Sequence, residues 1–268
     1  MDASKTRQTY EWRTGIATYS DKQIVIRGYD LIDLIDHIDF AGAVYLVLNG
    51  ILPTKRQSAM LNAILVSTVD HGIAPSEAVA RYVAASGVPL QACVAAGLLT
   101  IGDTHGGAGE EFAHLLQDGV ATQQERALTA SQMAAEIVAR WRLEKRRLPG
   151  FGHPLHPSGD PRAPRLLAVA ERLQISGAHV QLAQALGDAL HEAIGTAVPI
   201  NIDGATGAIL SDLGFSWRVA RPVLLISRAA GLSAHAIEEI TREKGWRGVP
   251  GDRILYDGPE LRQVAVEG

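Results

Sequence analysis

The chain has 268 residues, enough for one large domain or two smaller ones, and its 47% hydrophobic and 20% charged content is typical of a globular protein. Its 25 Lys and Arg against 29 Asp and Glu give a net charge of −4, which argues against a general nucleic-acid-binding protein. No apolar run approaches the length of a membrane span, so neither a nucleic acid nor a membrane is an expected partner.

The cysteine content and the N-terminus both favour a reducing compartment. Cys93 is the single cysteine, so it has no partner for an internal disulfide, and its apolar surroundings at 92–99 predict a small buried residue. The N-terminal stretch is mostly polar and no apolar segment follows it, so we expect no signal peptide. We therefore predict a cytoplasmic protein.

Helical patterns dominate the chain after a short N-terminal segment. Residues 9–19 and 24–27 are predicted to contain short strands, and segment 90–101 is apolar nearly all round, as in a buried helix. Asp39 and Thr54 stand at positions typical of helix N-caps. Helices are predicted at 29–37, 40–49, 54–69, 75–86, 90–101, 106–116, 129–147, 164–173, 179–194, 202–213 and 217–244, the last with a break at Gly231. The sequence therefore predicts an all-α fold.

The segment 146–166 is too rich in glycine and proline to be helical. It contains two histidines, four arginines, three glycines and five prolines. Helical patterns flank it closely on both sides, so we predict an ordered loop, which is a common place for functional residues. The alternative interpretation is a rigid turn that carries surface cations.

Three further polar stretches interrupt the helical patterns, and each has a structural as well as a functional interpretation. D-H-G at 70–72 makes His71 a candidate C-terminal cap, and N-I-D-G-A-T-G at 201–207 makes Asp203 a candidate N-cap. In G-D-T-H-G-G-A-G-E at 102–110, His105 precedes a glycine pair that begins a helix. The positive end of a helix disfavours a protonated imidazole, so a neutral, hydrogen-bonding His105 is the alternative to an ordinary polar residue.

The sequence resembles the citrate synthase superfamily in three motifs taken in order: G-D-T-H-G-G-A-G-E at 102–110, the loop L-P-G-F-G-H-P-L-H-P-S-G-D-P-R-A, and N-I-D-G-A-T-G-A-I-L from residue 201. The similarity extends to R-G-Y-D-L-I-D-L and L-V-L-N-G-I-L-P-T-K within 27–55, and to I-S-R-A-A-G-L-S-A-H at 226–235. G-L-L-T-I-G-D at 97–103 and the glycine after Asp203 are closer to citryl-CoA lyases and to the citrate-synthase-like end of ATP-citrate lyase.

The resemblance implies an all-α protein with a large domain, 1–106 and 215–268, and a small domain, 107–214. It also implies a homodimer whose substrate cleft lies between the domains and near the subunit boundary. The implied reaction is cleavage of citryl-CoA, or of a related 3-hydroxyacyl-CoA, to acetyl-CoA and oxaloacetate. The alternative within the superfamily is a citrate or 2-methylcitrate synthase, which shares the carbon–carbon step and also hydrolyses the thioester. Either way a coenzyme A thioester and an oxo acid are the small-molecule partners.

Roles transfer to this chain by motif. His105 corresponds to the histidine at the thioester carbonyl oxygen, His153 to the one at the oxaloacetate carbonyl or citryl hydroxyl, and Asp203 to the carboxylate at the acetyl methyl carbon. A neutral histidine stabilises an enol oxygen, a second histidine takes the hydroxyl proton, and a carboxylic acid protonates carbon. Three further residues match positions that hold substrate carboxylates: His71, Arg162 and Arg228.

The chain departs from the superfamily pattern at several basic positions. Pro154 and Pro157 stand where basic residues are common in the superfamily. The phosphates of coenzyme A are therefore assigned to Lys145, Arg146 and Arg147. The alternative interpretation is that these three side chains are simply solvated at the end of a helix. The superfamily commonly supplies an arginine from the neighbouring subunit, directly before a proline near the C-terminus. That position here is Val249, and we assign the role to Arg247 because Gly248 follows it, with a solvated arginine or Arg253 as the alternatives.

An interpretation from a different class is a metal-dependent hydrolase that uses His153-x-x-His156 with His105 and Asp203. This spacing in a proline-rich loop is a weak metal signal, so no metal cofactor is expected. His156 receives no role in the lyase interpretation. Retention of both histidines and the aspartate argues against a third alternative, a catalytically inactive helical partner.

Overall fold

A small antiparallel sheet precedes the helices. The computed structural model describes residues 11–153, 156 and 158–263. Its sheet has the order β1 (Ala17–Tyr19), β2 (Ile24–Ile26) and β3 (Tyr29–Asp30), with Thr18 opposite Val25. The two predicted strands are confirmed in shortened form, and β3 occupies the start of a segment predicted to be helical. The first residues of the predicted strand 9–19 lie outside the described residues.

Helices make up nearly all of the remaining regular structure, which confirms the all-α prediction. The eleven α-helices among the described residues are α1 (Leu31–His37), α2 (Phe40–Asn49), α3 (Lys55–Thr68), α4 (Pro75–Ala85), α5 (Leu90–Leu99), α6 (Ala108–Glu125), α7 (Ala130–Leu143), α8 (Arg162–Arg172), α9 (Ala178–Ile194), α10 (Ile202–Asp212) and α11 (Ala220–Arg242). No described helix is long and apolar enough to cross a membrane.

The helix starts follow local capping chemistry. The Asp39 carboxylate accepts a hydrogen bond from the Gly42 amide at 2.7 Å and caps α2. Thr54 and Gln57 form a reciprocal capping box at the start of α3, and Pro75 occupies the first turn of α4. The predicted caps Asp39 and Thr54 are thus confirmed.

Tertiary packing changes two predicted helix boundaries. α6 continues to Glu125 instead of ending near residue 116, and a Cβ on its Gly119 would lie 2.8 Å from the Leu182 side chain. α11 runs unbroken through Gly231, so the predicted break there is wrong. A Cβ on Gly231 would lie 2.3 Å from the Val69 carbonyl oxygen, so this glycine permits close helix packing.

The main core surrounds α10, which packs against α6, α8 and α9. Its residues from 204 to 211 are all buried, whereas Asp203 and Asp212 are not fully enclosed. The Tyr45 hydroxyl, itself buried, donates to the Leu213 carbonyl at 2.8 Å and ties α2 to the end of α10. Asp203 is therefore a polar residue at the start of an otherwise buried helix.

α5 is a helix, as predicted, but its expected burial on all sides is wrong for the single chain. Cys93 and Gly97 are its buried residues, and a Cβ on Gly97 would lie 2.9 Å from the Leu232 side chain of α11. Leu90 and Leu99 are exposed, Leu99 at 85%. One face of this apolar helix is therefore covered by its own chain and the other faces outward.

Candidate active site

One cleft of about 360 Å³ collects most of the residues singled out from the sequence. The residues in this cleft are His71, His105, His153, Arg162, Asp203 and Arg228, six of the ten predicted site residues. Apolar side chains that include Ile101 and Leu224 complete its wall. A second cavity, of about 400 Å³ between α6 and α7, is lined by the mutually paired Arg126 and Glu136 and contains none of the predicted residues.

Backbone pairing joins the loop that carries His153 to the segment that leads into α10. The Asn201 amide donates to the Gly150 carbonyl at 2.9 Å, and the Gly152 amide donates to the Pro199 carbonyl at 2.8 Å. The Asn201 side-chain amide donates to the Gly152 carbonyl at 2.6 Å. This short antiparallel bridge fixes the loop immediately before His153 against the start of α10.

The same contact depends on two glycines, and it leads to a first prediction. A Cβ on Gly204 would lie 2.3 Å from the Gly150 carbonyl oxygen, and Gly150 has a φ of +79°. We expect Gly204→Ala to lower the free energy of unfolding by about 1–3 kcal/mol, because the inserted methyl forces the two backbones apart. Denaturant unfolding measures this loss. Gly15→Ala is the control because a Cβ at that position meets nothing within 4 Å, and an unchanged stability of Gly204→Ala would contradict the close contact.

Asp203 lies in the first turn of α10 without capping it. The N-cap is Asn201, whose side chain accepts from the Gly204 amide at 3.0 Å, so the interpretation of Asp203 as a plain N-cap is wrong. Burial raises the pKa of Asp203, and nearby Arg162 and His153 oppose part of this rise. A carboxyl group with a raised pKa, on a cleft wall, is suited to holding and releasing a proton.

Arg162 is oriented by Asp160, which the sequence analysis did not single out. Two guanidinium nitrogens of Arg162 donate to the fully buried Asp160 carboxylate, at 2.8 and 3.0 Å. Burial alone raises the pKa of Asp160, but hydrogen bonds from Arg162 outweigh it and the net pKa is lowered. The same carboxylate accepts from the Ile202 amide at 3.3 Å, so it links the D-P-R motif to α10.

A second buried carboxylate, Glu77, links Arg228 to His105. Arg228 donates to Glu77 at 2.8 Å, and the Ser76 hydroxyl lies 2.9 Å from the other oxygen of Glu77. His105 Nε2 lies 3.1 Å from the same hydroxyl. The sequence analysis missed Ser76 and Glu77, because a Ser-Glu pair directly after Pro75 looks like an ordinary helix start. Because Ser76 donates its hydroxyl hydrogen to Glu77, His105 Nε2–H is the donor to Ser76 in this arrangement, and a neutral ring leaves Nδ1 as an acceptor.

Three histidines meet on one side of the cleft. His71 Nε2 lies 3.1 Å from His156 Nε2, and the His153 ring lies 5.5 Å from the His71 ring and 4.7 Å from the His156 ring. Burial lowers the pKa of both His71 and His153, and for His71 the neighbouring Arg162 adds to this effect. α3 ends with Val69 as its C-cap, so the interpretation of His71 as a helix cap is wrong.

This arrangement also corrects the ligand set of the hydrolase alternative. That alternative grouped His153 and His156 with His105 and Asp203. Among the described residues, the ligand atoms that lie within 4.8 Å of one another belong to His71, His153 and His156. His105 instead contacts Ser76, and Asp203 does not belong to this group of clustered ligand atoms among the described residues.

The remaining predicted residues lie outside this cleft. Arg247 donates to the Glu239 carboxylate at 2.8 and 3.0 Å, within its own chain. Arg146 pairs with Glu111 at 2.9 Å and lies over the Trp141 ring. Lys145 and Arg147 are exposed beside it. Pro154 and Pro157, where the superfamily often has basic residues, lie outside the described residues.

Comparison with known proteins identifies the family of the chain. The family model for the citrate synthase C-terminal domain matches residues 55–248. The chain belongs to the citrate synthase family. The citryl-CoA lyase from Hydrogenobacter thermophilus superposes on this citrate synthase family member with a TM-score of 0.88, at 37% identity, over 96% of this chain and 98% of that one. The family membership predicted from the motifs is thus confirmed, as is an enzyme of the citrate synthase-like lyase or synthase type.

Two more distant matches set the limits of the comparison. An ATP citrate lyase from Methanosaeta concilii, solved with (3S)-citryl-CoA, shares the fold at a TM-score of 0.77 and 20% identity, over 94% of this chain and 42% of that one. The citrate synthase of Synechocystis sp. is 27% identical over 249 residues, or 90% of this chain. This family member spans 60% of the length of that curated relative.

Proposed function

We propose that this family member is a citryl-CoA lyase, which cleaves citryl-CoA to acetyl-CoA and oxaloacetate. The observation that carries the proposal is the meeting of His105, His153 and Asp203 in one cleft with cationic side chains. The 37% identity to a citryl-CoA lyase over 96% of the chain supports the same substrate. The acyl-CoA thioester is a substrate in this reaction, and we assign no metal to the chemistry.

The proposed cleavage divides the proton transfers between three residues. His153 accepts the proton of the tertiary hydroxyl as the carbon–carbon bond breaks and the oxaloacetate carbonyl forms. The electron pair of that bond moves to the acetyl unit. His105 stabilises the enol oxygen through Nδ1–H, which requires the Ser76 hydroxyl to turn its hydrogen from Glu77 to His105 Nε2. Asp203 then gives its proton to the terminal carbon, and acetyl-CoA results. The raised pKa of Asp203 supports this role because it favours the protonated carboxyl group.

The free carboxylates of the substrate are assigned to Arg162, Arg228 and His71. Each arginine is oriented by a buried carboxylate, Asp160 for one and Glu77 for the other. A guanidinium fork that is already oriented loses less conformational freedom on binding a carboxylate. We place the division of the fold at 1–106 with 215–268 against 107–214, so that His105 and Asp203 face each other across the cleft.

Incubation of the purified enzyme with citryl-CoA tests the proposal. Acetyl-CoA and oxaloacetate are the expected products, each quantified by a coupled enzyme assay. Release of citrate and free coenzyme A would instead identify a thioester-hydrolysing citrate synthase, the alternative favoured by the similarity to the Synechocystis enzyme. Turnover of neither kind, in a correctly folded preparation, would overturn both assignments.

We also propose a homodimer and a cytoplasmic location. The outward face of α5, with Leu90 and Leu99 exposed, is apolar surface of the kind that a second subunit covers. Analytical ultracentrifugation is expected to give twice the 28.6 kDa mass of the chain. The buried single Cys93 suits a reducing compartment.

Coenzyme A phosphates are assigned to the basic residues Lys145, Arg146 and Arg147. All three are exposed at the end of α7, close in sequence to the loop that carries His153. In this proposal Arg146 leaves the exposed carboxylate of Glu111 and binds a coenzyme A phosphate instead. The proposal is supported by the position of these cations rather than by contact with the cleft.

The second prediction concerns Arg247, for which we propose a role in the partner subunit. Arg81 lies 2.8 Å from Glu239, so Arg247 can leave Glu239 without stranding this buried carboxylate. We expect Arg247→Ala to raise the KM for citryl-CoA about tenfold or more, through loss of a charge-assisted hydrogen bond. Steady-state kinetics measures this effect, and Arg242→Ala, at an exposed arginine, is the control.

Subunit mixing separates action in the partner subunit from action in the same subunit. Arg247→Ala and Asp203→Asn subunits are mixed under exchange conditions. The assay uses citryl-CoA well below its KM, where Arg247→Ala is itself about tenfold slower than wild type. If Arg247 acts in the partner subunit, each mixed dimer has one intact site, and about a quarter of wild-type activity returns at random exchange. No recovery, with exchange confirmed by mass spectrometry, would contradict this role.

A further inference from the structure

His71, His153 and His156 form a histidine cluster that has the composition of a metal site. The proposed reaction does not require these three residues to act together. One nitrogen from each of His71, His153 and His156 lies within 4.8 Å of the other two. Two imidazole nitrogens that share a tetrahedral zinc ion lie about 3.3 Å apart, given zinc–nitrogen bonds near 2.0–2.1 Å. The distance of 3.1 Å between His71 Nε2 and His156 Nε2 is close to this value. Small side-chain movements therefore suffice to place all three nitrogens around one ion.

We propose that His71, His153 and His156 bind one divalent transition-metal ion of the zinc class, with water in the fourth position. Three imidazoles and an open position suit Zn²⁺, and the same ligands suit Co²⁺ and Cu²⁺. In the hydrogen bond between His71 and His156, one Nε2 carries the shared proton. On metal binding that imidazole takes the tautomer with its proton on Nδ1, so that both Nε2 atoms bind the ion.

Nearby charges permit a cation at this position. Arg162 is the cationic neighbour of His71, but two of its nitrogens are already bound by the buried Asp160 carboxylate. Arg228, on another wall of the cleft, is paired with Glu77 in the same way. Both positive charges are thus balanced by buried carboxylates, which lowers the repulsion that a metal ion meets.

The bound ion inhibits the enzyme. It occupies His153, which the reaction needs as a proton acceptor, and His71, which holds a substrate carboxylate. This consequence rests on the proposed function, whereas metal binding itself does not. His156 gains a role here that the lyase interpretation does not provide, because it completes the ligand set. Zinc-class ions are therefore expected to compete with citryl-CoA.

The test uses the full chain after removal of metals with a chelator. Titration with Co²⁺ is expected to give the visible ligand-field bands of a tetrahedral site, saturating at one ion per chain, and Zn²⁺ is expected to abolish them. His156→Gln should weaken Co²⁺ binding about tenfold or more, since it removes one of three ligands. The matched control is His191→Gln, at an exposed histidine in the last turn of α9, which should bind like the wild type. Circular dichroism confirms that both variants are folded.

The outcomes distinguish the metal site from the proposed function. Wild-type affinity in His156→Gln, or no saturable bands in the wild type, would overturn the metal site. In the kinetic arm, Zn²⁺ should raise the apparent KM of the wild type for citryl-CoA, and His156→Gln should need about tenfold more Zn²⁺ for the same effect on its own metal-free rate. Saturable bands in an enzyme that does not cleave citryl-CoA would support the site and contradict the proposed function. Cleavage of citryl-CoA by an enzyme that shows no saturable Co²⁺ bands would support the proposed function and contradict the metal site.

Discussion

Replacement of Asp203 by asparagine is expected to slow carbon–carbon cleavage by about 10²–10⁴-fold, because the amide cannot give a proton to carbon. The fold should persist, since Asn201 and not Asp203 caps α10. The measurement is kcat with citryl-CoA. Asp118→Asn, at a side chain that is 72% exposed on α6, is the matched control and should retain full activity. A kcat of Asp203→Asn within a few-fold of wild type would contradict the proposed acid.

The same variant should change the dependence of stability on pH. Burial raises the pKa of Asp203 above its unfolded value, so the folded state binds more protons between those two pKa values. The contribution of Asp203 to stability is therefore fully present below the unfolded pKa and is lost as pH rises through the folded pKa. Unfolding of Asp203→Asn, measured across this window, should lack that loss. An identical pH profile in both proteins would contradict the raised pKa.

Glu77→Gln should cost about 3–5 kcal/mol of unfolding free energy, because it leaves the buried Arg228 guanidinium without its counter-charge. The Glu77 side chain is 0% exposed and that of Arg228 is 9% exposed, so the little water that reaches Arg228 from the cleft compensates only in part for the lost charge. Urea denaturation measures the loss. Catalysis should fall as well, because Glu77 also contacts Ser76, which holds His105.

Two comparisons isolate the cause of the Glu77 effect. Adding Arg228→Met to Glu77→Gln should restore part of the stability, since no unpaired charge remains, while cleavage stays low. Glu136→Gln breaks the exposed pair with Arg126 and should leave stability almost unchanged because solvent screens that pair. If Glu77→Gln proved as stable as wild type, solvent would already screen the Glu77–Arg228 pair, and the explanation by an unpaired buried charge would be wrong.

Local motifs predicted the cleft residues better than the side chains that support them. His105, His153 and Asp203 stand in glycine-rich stretches that are visible along the sequence, and the structure brings them to one cleft. Glu77 was missed because its partner Arg228 lies 151 residues away, a separation that no local pattern reports. Asp160 was missed because an aspartate is common in a turn that is rich in glycine and proline. Its side chain is nevertheless completely buried.

Helix boundaries and burial show the same limit. Gly231 was expected to break a helix, and α6 was expected to end before Gly119, yet each glycine allows close packing against another segment, a tertiary cause that local propensity does not contain. The apolar sequence of α5 correctly predicted a helix but not the exposure of its outer face. Periodicity reports how apolar a helix is and not what packs against it, and within the single chain Leu99 stays exposed.

Each of the two buried carboxylates connects a different group of cleft residues. His153, Arg162 and Asp203 are tied together by the backbone bridge at Gly150 and by Asp160. His105 and Arg228 are tied together through Glu77. On the proposed domain boundaries and roles, the proton donor Asp203 and the enol stabiliser His105 belong to different domains, so we expect domain movement to change their separation. Substrate spans both groups, and its binding is therefore expected to fix the distance between the two residues.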